Sequence, residues 1–287
     1  MKNKRLCVHL HFAPPRAGTP WPDEEGEDPS SWPYRDSWEL YFHRWVEPHL
    51  RGARTDEDGL ILEPASSLDA AGFSFSPSLL GWIESHHPSA YRLILEADAR
   101  SLDETGHGSA LAGLDDGPPS ARVAASFASG ERTRSGDGGP LAAALESSLE
   151  DFQSRFGRKA EGAWLGETAA PSFLDAAAGL GLPFVLAAGR LGSEEGGGHL
   201  PLLWAHGSRR LAVFFPDPEL FGVSAGRLPT RADVSGAGRK LALRLAGRFA
   251  AGNTAELVLL AARADRFSEN GRLGSRILIE AFSEIAR

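Results

Sequence analysis

The chain has 287 residues, enough to bury a large core, and its 42% hydrophobic and 24% charged residues are ordinary for a globular protein. A net charge of −8 with no basic stripe excludes a phosphate-tracking nucleic-acid binder and leaves neutral ligands untouched. The single cysteine, Cys7, rules out an internal disulfide framework; no apolar run reaches membrane-spanning length, and the run after the charged start is too short for a signal peptide, so the expected compartment is the cytoplasm.

In chain order, Leu6, Val8, Leu10 and Phe12 alternate with Cys7, His9 and His11. This period of two predicts a strand with one apolar face and one face of imidazoles, ended by Pro14 and Pro15. Residues 17–34 are rich in Pro, Gly and acid and read as a loop, in which Trp21, Trp32 or Tyr34 could stack on a sugar ring or pack the loop itself. Asp36 is placed to cap a helix running through Trp45. Phe73 and Phe75 predict a short strand, Pro77 opens a helix with Leu79, Leu80 and Ile83 inward, and Pro88 opens another with Tyr91, Ile94 and Leu95 inward. These segments read as scaffold.

Glycines on both sides of His107 allow a sharp turn or a close backbone approach to a ligand, which makes His107 a site candidate. Residues 114–140 form a low-complexity excursion of Gly, Ser, Asp, Pro and Arg. A stripe of Leu141, Leu145, Leu149, Phe152 and Phe156 then predicts a helix. Beyond it, Ala163, Trp164 and Leu165 lie between Gly162 and Gly166 and read as a buried strand. Glu167 stands at its end, and Thr168, Pro171, Phe173, Leu174, Ala177 and Leu180 outline the helix that follows. Further strands are expected at residues 184–188, 211–215 and 256–262, with helices at 240–249 and 273–285. Continuous apolar strands alternating with helices predict an α/β fold with a parallel sheet and outer helices, in which ligands bind at the carboxyl ends of the strands. One barrel domain over residues 1–287 accommodates this pattern.

The segment reading FGRKAEGAWLGETA resembles the nucleophile motif of glycoside hydrolase family 57, in particular a branch reading FGR-x-PEGMWLxETA. HLHFAPPR is similar to that branch's first-strand motif, residues 72–98 to its early scaffold, and GHGSALA is identical to it over several residues. The resemblance covers nearly the whole chain. It implies an incomplete (β/α)7-type barrel, an α-glucan or oligosaccharide substrate, Glu167 as nucleophile, and His9 and His11 as sugar contacts; Trp32, His107 and Trp164 complete the substrate-binding candidates.

A retaining glycosidase needs a second carboxyl group about 5–5.5 Å from the nucleophile. Asp217, in DPELFG, resembles one family acid motif and is the first choice. By order along the chain, AARADRFSENGRLG takes the acid's place instead; that alignment puts Arg263 at the acid position and Asp265, the second choice, two residues on. An arginine cannot donate the proton. The expected activity is therefore retaining hydrolysis or transglycosylation of α-glucan, with a catalytically impaired sugar-binding relative as the alternative. His-x-His also suits a metal pair in a deacetylase or amidohydrolase, which would need further ligands from other strands, or two histidines hydrogen-bonded inside a core. No metal and no cofactor is expected, and no feature of the sequence sets an oligomeric state.

Overall fold

The computed structural model describes residues 4–13, 32–56, 60–114, 139–166, 171–187, 201–217, 220, 234–249, 257–267 and 271–286. Its framework is a curled sheet built from strands β1 (Arg5–Phe12), β4 (Gly72–Phe75), β5 (Ala110–Gly113), β6 (Gly162–Trp164), β7 (Phe184–Leu186), β9 (Arg209–Phe214) and β10 (Leu257–Arg263), all parallel to their neighbours. Strand β8 (Leu202–His206) adds an antiparallel edge, giving the order β10-β1-β4-β5-β6-β7-β9-β8. Strands β2 (Gly52–Thr55) and β3 (Ile61–Ala65) form a separate antiparallel pair. The result is the incomplete barrel expected from the sequence, with helices outside it.

Alternation along each strand sorts side chains to the two faces of the sheet. Val8, Leu10 and Phe12 join Phe73, Phe75, Ala163, Val185, Val213 and Leu260 in the large cluster packed under the helices. The opposite face carries a smaller cluster of Leu111, Trp164, Leu186, Leu259 and Ala261, with Cys7, Phe184 and Phe214 against it. Across the gap between β10 and the segment after β9, the Asp217 N–H donates to the Leu259 carbonyl at 2.8 Å.

Helix α1 (Ser37–Tyr41) is capped by Asp36, whose Oδ1 accepts from the Trp38 and Glu39 N–H groups at 2.9 and 2.8 Å. It continues through a π turn (Phe42–Val46) into α2 (Glu47–Leu50). Next come α3 (Pro77–His86) and α4 (Pro88–Thr105), opened by the prolines as expected. Leu79, Leu80, Ile83 and Ile94 are buried, whereas Leu95 stays outside the core and Ala90 and Ala97 take the inward stripe. Strand β5 takes the last three residues of the GHGSALA segment and Gly113, where the sequence reading assigned no strand: four small or aliphatic residues suffice because neighbouring strands cover both edges. The excursion at 114–140 falls almost wholly outside the described residues, as do Trp21 and Glu167. Helices α5 (Gly139–Phe156), α6 (Pro171–Gly179), α7 (Val234–Gly247), α8 (Ala264–Phe267) and α9 (Gly271–Ile285) complete the described framework. Among the described residues, no helix is long and apolar enough to cross a membrane.

Candidate functional site

The imidazole face of β1 turns to the inner side of the sheet, where His9 and His11 are both about 1% exposed. Neighbouring β4 brings Ser74 alongside His11 in register. The Ser74 Oγ lies 2.9 Å from His9 Nε2 and 2.9 Å from His11 Nδ1, so a single hydroxyl ties the two rings together. From β6 the indole of Trp164 lies nearly parallel to both imidazoles, with centroids 5.4 Å apart in each case. Gly113 on β5 leaves the room this needs: a Cβ there would meet the Phe75 carbonyl oxygen at 2.3 Å and His11 Cε1 at 3.4 Å.

Burial pushes the His9 imidazole down to about 3. His11 is held well below its ordinary value, by burial first and then by the charges of Arg263 and His9, against an opposing hydrogen bond from Ser74. Both rings are therefore neutral near pH 7. His11 Nε2 is buried and has no hydrogen-bond partner among the described residues, an arrangement that costs free energy unless something meets it. Replacing Ser74 with alanine would orphan a nitrogen on each ring; we expect a loss of about 2 kcal/mol in urea unfolding. A loss below about 0.5 kcal/mol would show that the hydroxyl does not tie the rings together.

Arg263 ends β10 in register with His11 and is 7% exposed. Its Nε and Nη2 donate to the two carboxylate oxygens of Asp265 at 3.0 and 2.9 Å. These groups stand at the carboxyl ends of β1 and β10, the end at which parallel α/β sheets bind ligands.

Three solved structures align with almost the entire chain. The 4-alpha-glucanotransferase from Thermococcus litoralis matches 97% of this chain and 36% of its own, with a TM-score of 0.54 and 17% identity. An exo-type maltose-forming amylase from Pyrococcus sp. ST04 matches 98% of this chain and 46% of its own, at TM-score 0.58 and 11% identity. The GH57-type branching enzyme from Pyrococcus horikoshii matches 99% of this chain and 68% of its own, at TM-score 0.55 and 14% identity. The chain has the fold of a GH57-type enzyme. It spans 36% and 46% of the first two proteins' lengths, and at these identities the likeness concerns fold and not the roles of residues. No protein-family model and no curated protein matches the sequence.

Within this GH57-type fold the sequence-predicted residues separate into groups. His9, His11 and Trp164 are in contact, with Ser74 as a partner the sequence reading missed and Arg263, which the alignment put at the acid position, beside His11. Asp265 lies beside them through Arg263. Asp217 is 3% exposed and its Oδ2 accepts from Arg248 Nε at 2.7 Å, just past the end of α7. His107 precedes β5 at the opposite, amino-terminal end of the sheet, where Nδ1 is 2.9 Å from Glu161 Oε2. Trp32 is 83% exposed, ahead of α1. Glu167 follows Gly166 beyond the carboxyl end of β6, outside the described residues.

The GHGSALA and FGR motifs meet at that opposite end in a structural staple. Arg158 Nε and Nη2 donate to the two oxygens of Asp98 at 2.9 and 2.7 Å, and Nη2 also donates to the Ala110 carbonyl at 3.0 Å. Asp98 Oδ1 in turn accepts the Ala110 N–H at 2.7 Å. Gly108 is required there, because a Cβ would fall 1.9 Å from Arg158 Nη2. A cavity lined by Phe75, Leu80, Ser148 and Phe152 has a volume of about 10 Å³, room for about one water and none for a sugar.

Proposed function

We propose that this chain binds α-glucan at the carboxyl ends of the barrel strands and cleaves or transfers α-glucosidic bonds with Glu167 as nucleophile. The observation that supports this reading most is the coupled His9–Ser74–His11 set stacked on Trp164, with a buried His11 nitrogen left over beside Arg263. Neutral imidazoles of this kind suit uncharged sugar hydroxyls, which both donate and accept. Trp164 acts in this reading by fixing the imidazoles, since its own faces are buried. Asp265 stands beside His11 through Arg263, and Asp217 follows the carboxyl end of β9; each is paired with a guanidinium, and both are carried as candidate acids. The fold of the glucan-processing neighbours is consistent with this substrate class.

One observation favours a second reading, sugar binding without turnover: both candidate acids are held by guanidinium groups, Asp217 by Arg248 and Asp265 by Arg263. The experiment measures maltooligosaccharide binding by calorimetry, and release of reducing ends and change of chain length by chromatography. Under the first reading the wild-type chain turns over and Glu167→Gln loses at least about 10²-fold in rate with binding retained. Binding with no turnover selects the second reading. Absence of both overturns each of them.

A further inference from the structure

A second group of potential ligands lies away from the barrel interior, where α1 and the π turn meet the corner between α3 and α4. One ligand atom from each of Glu39, His43 and His87 lies within 4.8 Å of the other two, and all three residues are half-buried. Glu39 and His43 are one helical turn apart, and His43 Nε2 is 3.9 Å from Glu39 Oε1. The other nitrogen of His43, Nδ1, is 2.8 Å from Glu47 Oε2. A carboxylate can only accept there, so the proton sits on Nδ1 and the lone pair of a neutral ring sits on Nε2, facing Glu39. This carboxylate–histidine arrangement is the one that orients imidazoles at metal centres.

The rings are also held from the side. His87 stacks on Phe42 at 3.8 Å between centroids, and His43 stacks on Tyr34 at 5.1 Å. His43 belongs to the π turn Phe42–Val46, a helical irregularity concentrated at functional positions. Ligand atoms around a tetrahedral ion with bonds of 2.0–2.2 Å stand about 3.4 Å apart, so closing the group on an ion requires shifts of a few tenths of an ångström up to about 1 Å.

We propose that Glu39, His43 and His87 bind one divalent transition-metal ion of the zinc class, with Glu47 orienting His43. Two imidazoles and a carboxylate favour zinc, cobalt or nickel over calcium or magnesium, whose sites are built from oxygen. Three protein ligands leave one position for water. The ion would fasten the α1 segment to the α3–α4 corner.

The test uses the full chain, stripped with chelator and titrated with Zn²⁺ by calorimetry and with Co²⁺ by visible absorption. The expected result is one equivalent bound, a cobalt spectrum of a four- or five-coordinate centre, and a rise in Tm with Zn²⁺. Glu39→Gln, His43→Gln and His87→Gln each weaken Zn²⁺ binding at least about tenfold, and Glu47→Gln weakens it about 10–100-fold. His107→Asn and His206→Asn leave it unchanged. Glu39→Gln guards against misfolding as the cause, since it leaves both ring stacks in place, and circular dichroism checks every variant. The proposal is overturned if no equivalent binds, or if binding survives in folded Glu39→Gln and His43→Gln; the group would then be an ion pair between His43 and its flanking glutamates.

Discussion

Between pH 7 and pH 5.5 the folded state is expected to lose about 4 kcal/mol of stability, a large share of the 5–15 kcal/mol typical of a domain. Three imidazoles carry the effect: His9, His11 and His49, the last fully buried with Nδ1 2.7 Å from Ser67 Oγ. Burial pushes His9 and His49 down to about 3 and holds His11 well below its ordinary range. Below about pH 6.5 the unfolded chain takes up protons that the folded chain refuses, so stability falls as pH falls. Each ring contributes a slope approaching about 1.4 kcal/mol per pH unit, active from about 6.5 down towards 3 and absent above neutrality. Urea unfolding at a series of pH values measures it. His49→Gln should remove about a third of the slope, and a change below about 1 kcal/mol over this interval would mean that the rings are not kept neutral.

Arg158→Met is expected to destabilise the protein by about 3–5 kcal/mol, because it leaves the Asp98 carboxylate buried beside methionine. Asp98 is 3% exposed, and its remaining partner among the described residues is the Ala110 N–H. Asp98→Asn should cost less, since the amide oxygen still accepts from Ala110 and no net charge is stranded. The double variant should recover part of the Arg158→Met loss, giving a coupling energy of about 1–3 kcal/mol by double-mutant cycle. Additive effects would show that the staple does not act as a unit.

The fold was legible where periodicity was long enough to see. Seven residues of alternation, Leu6 to Phe12, predicted β1 and put His9 and His11 on one face, and proline at the first helical position marked α3 and α4. Strand β5 escaped because four residues, Ala-Leu-Ala-Gly, are too few to show a period, and β8 because it is an exposed edge. At the site, the imidazole pair could be read from spacing alone. Ser74 could not: a serine between Phe73 and Phe75 is ordinary strand alternation until register brings it beside His11. Distance along the chain hid the staple in the same way, since Asp98 and Arg158 are separated by 60 residues and only the sheet unites them. The reading of His107 shows the complementary error of scale. Glycines near a histidine do signal a close approach, but the group approaching Gly108 is Arg158.

A serine hydroxyl has one proton, and Ser74 faces two rings that both want it. If the proton points to His11, that ring carries its own hydrogen on Nε2; if it points to His9, His11 donates through Nδ1 and leaves Nε2 bare. The two tautomeric arrangements have the same net charge and differ only by a shuffle of hydrogens along the chain of three groups. The buried Nε2 can thus greet its counterpart as giver or as receiver, so this face of the sheet adapts its polarity without moving a heavy atom.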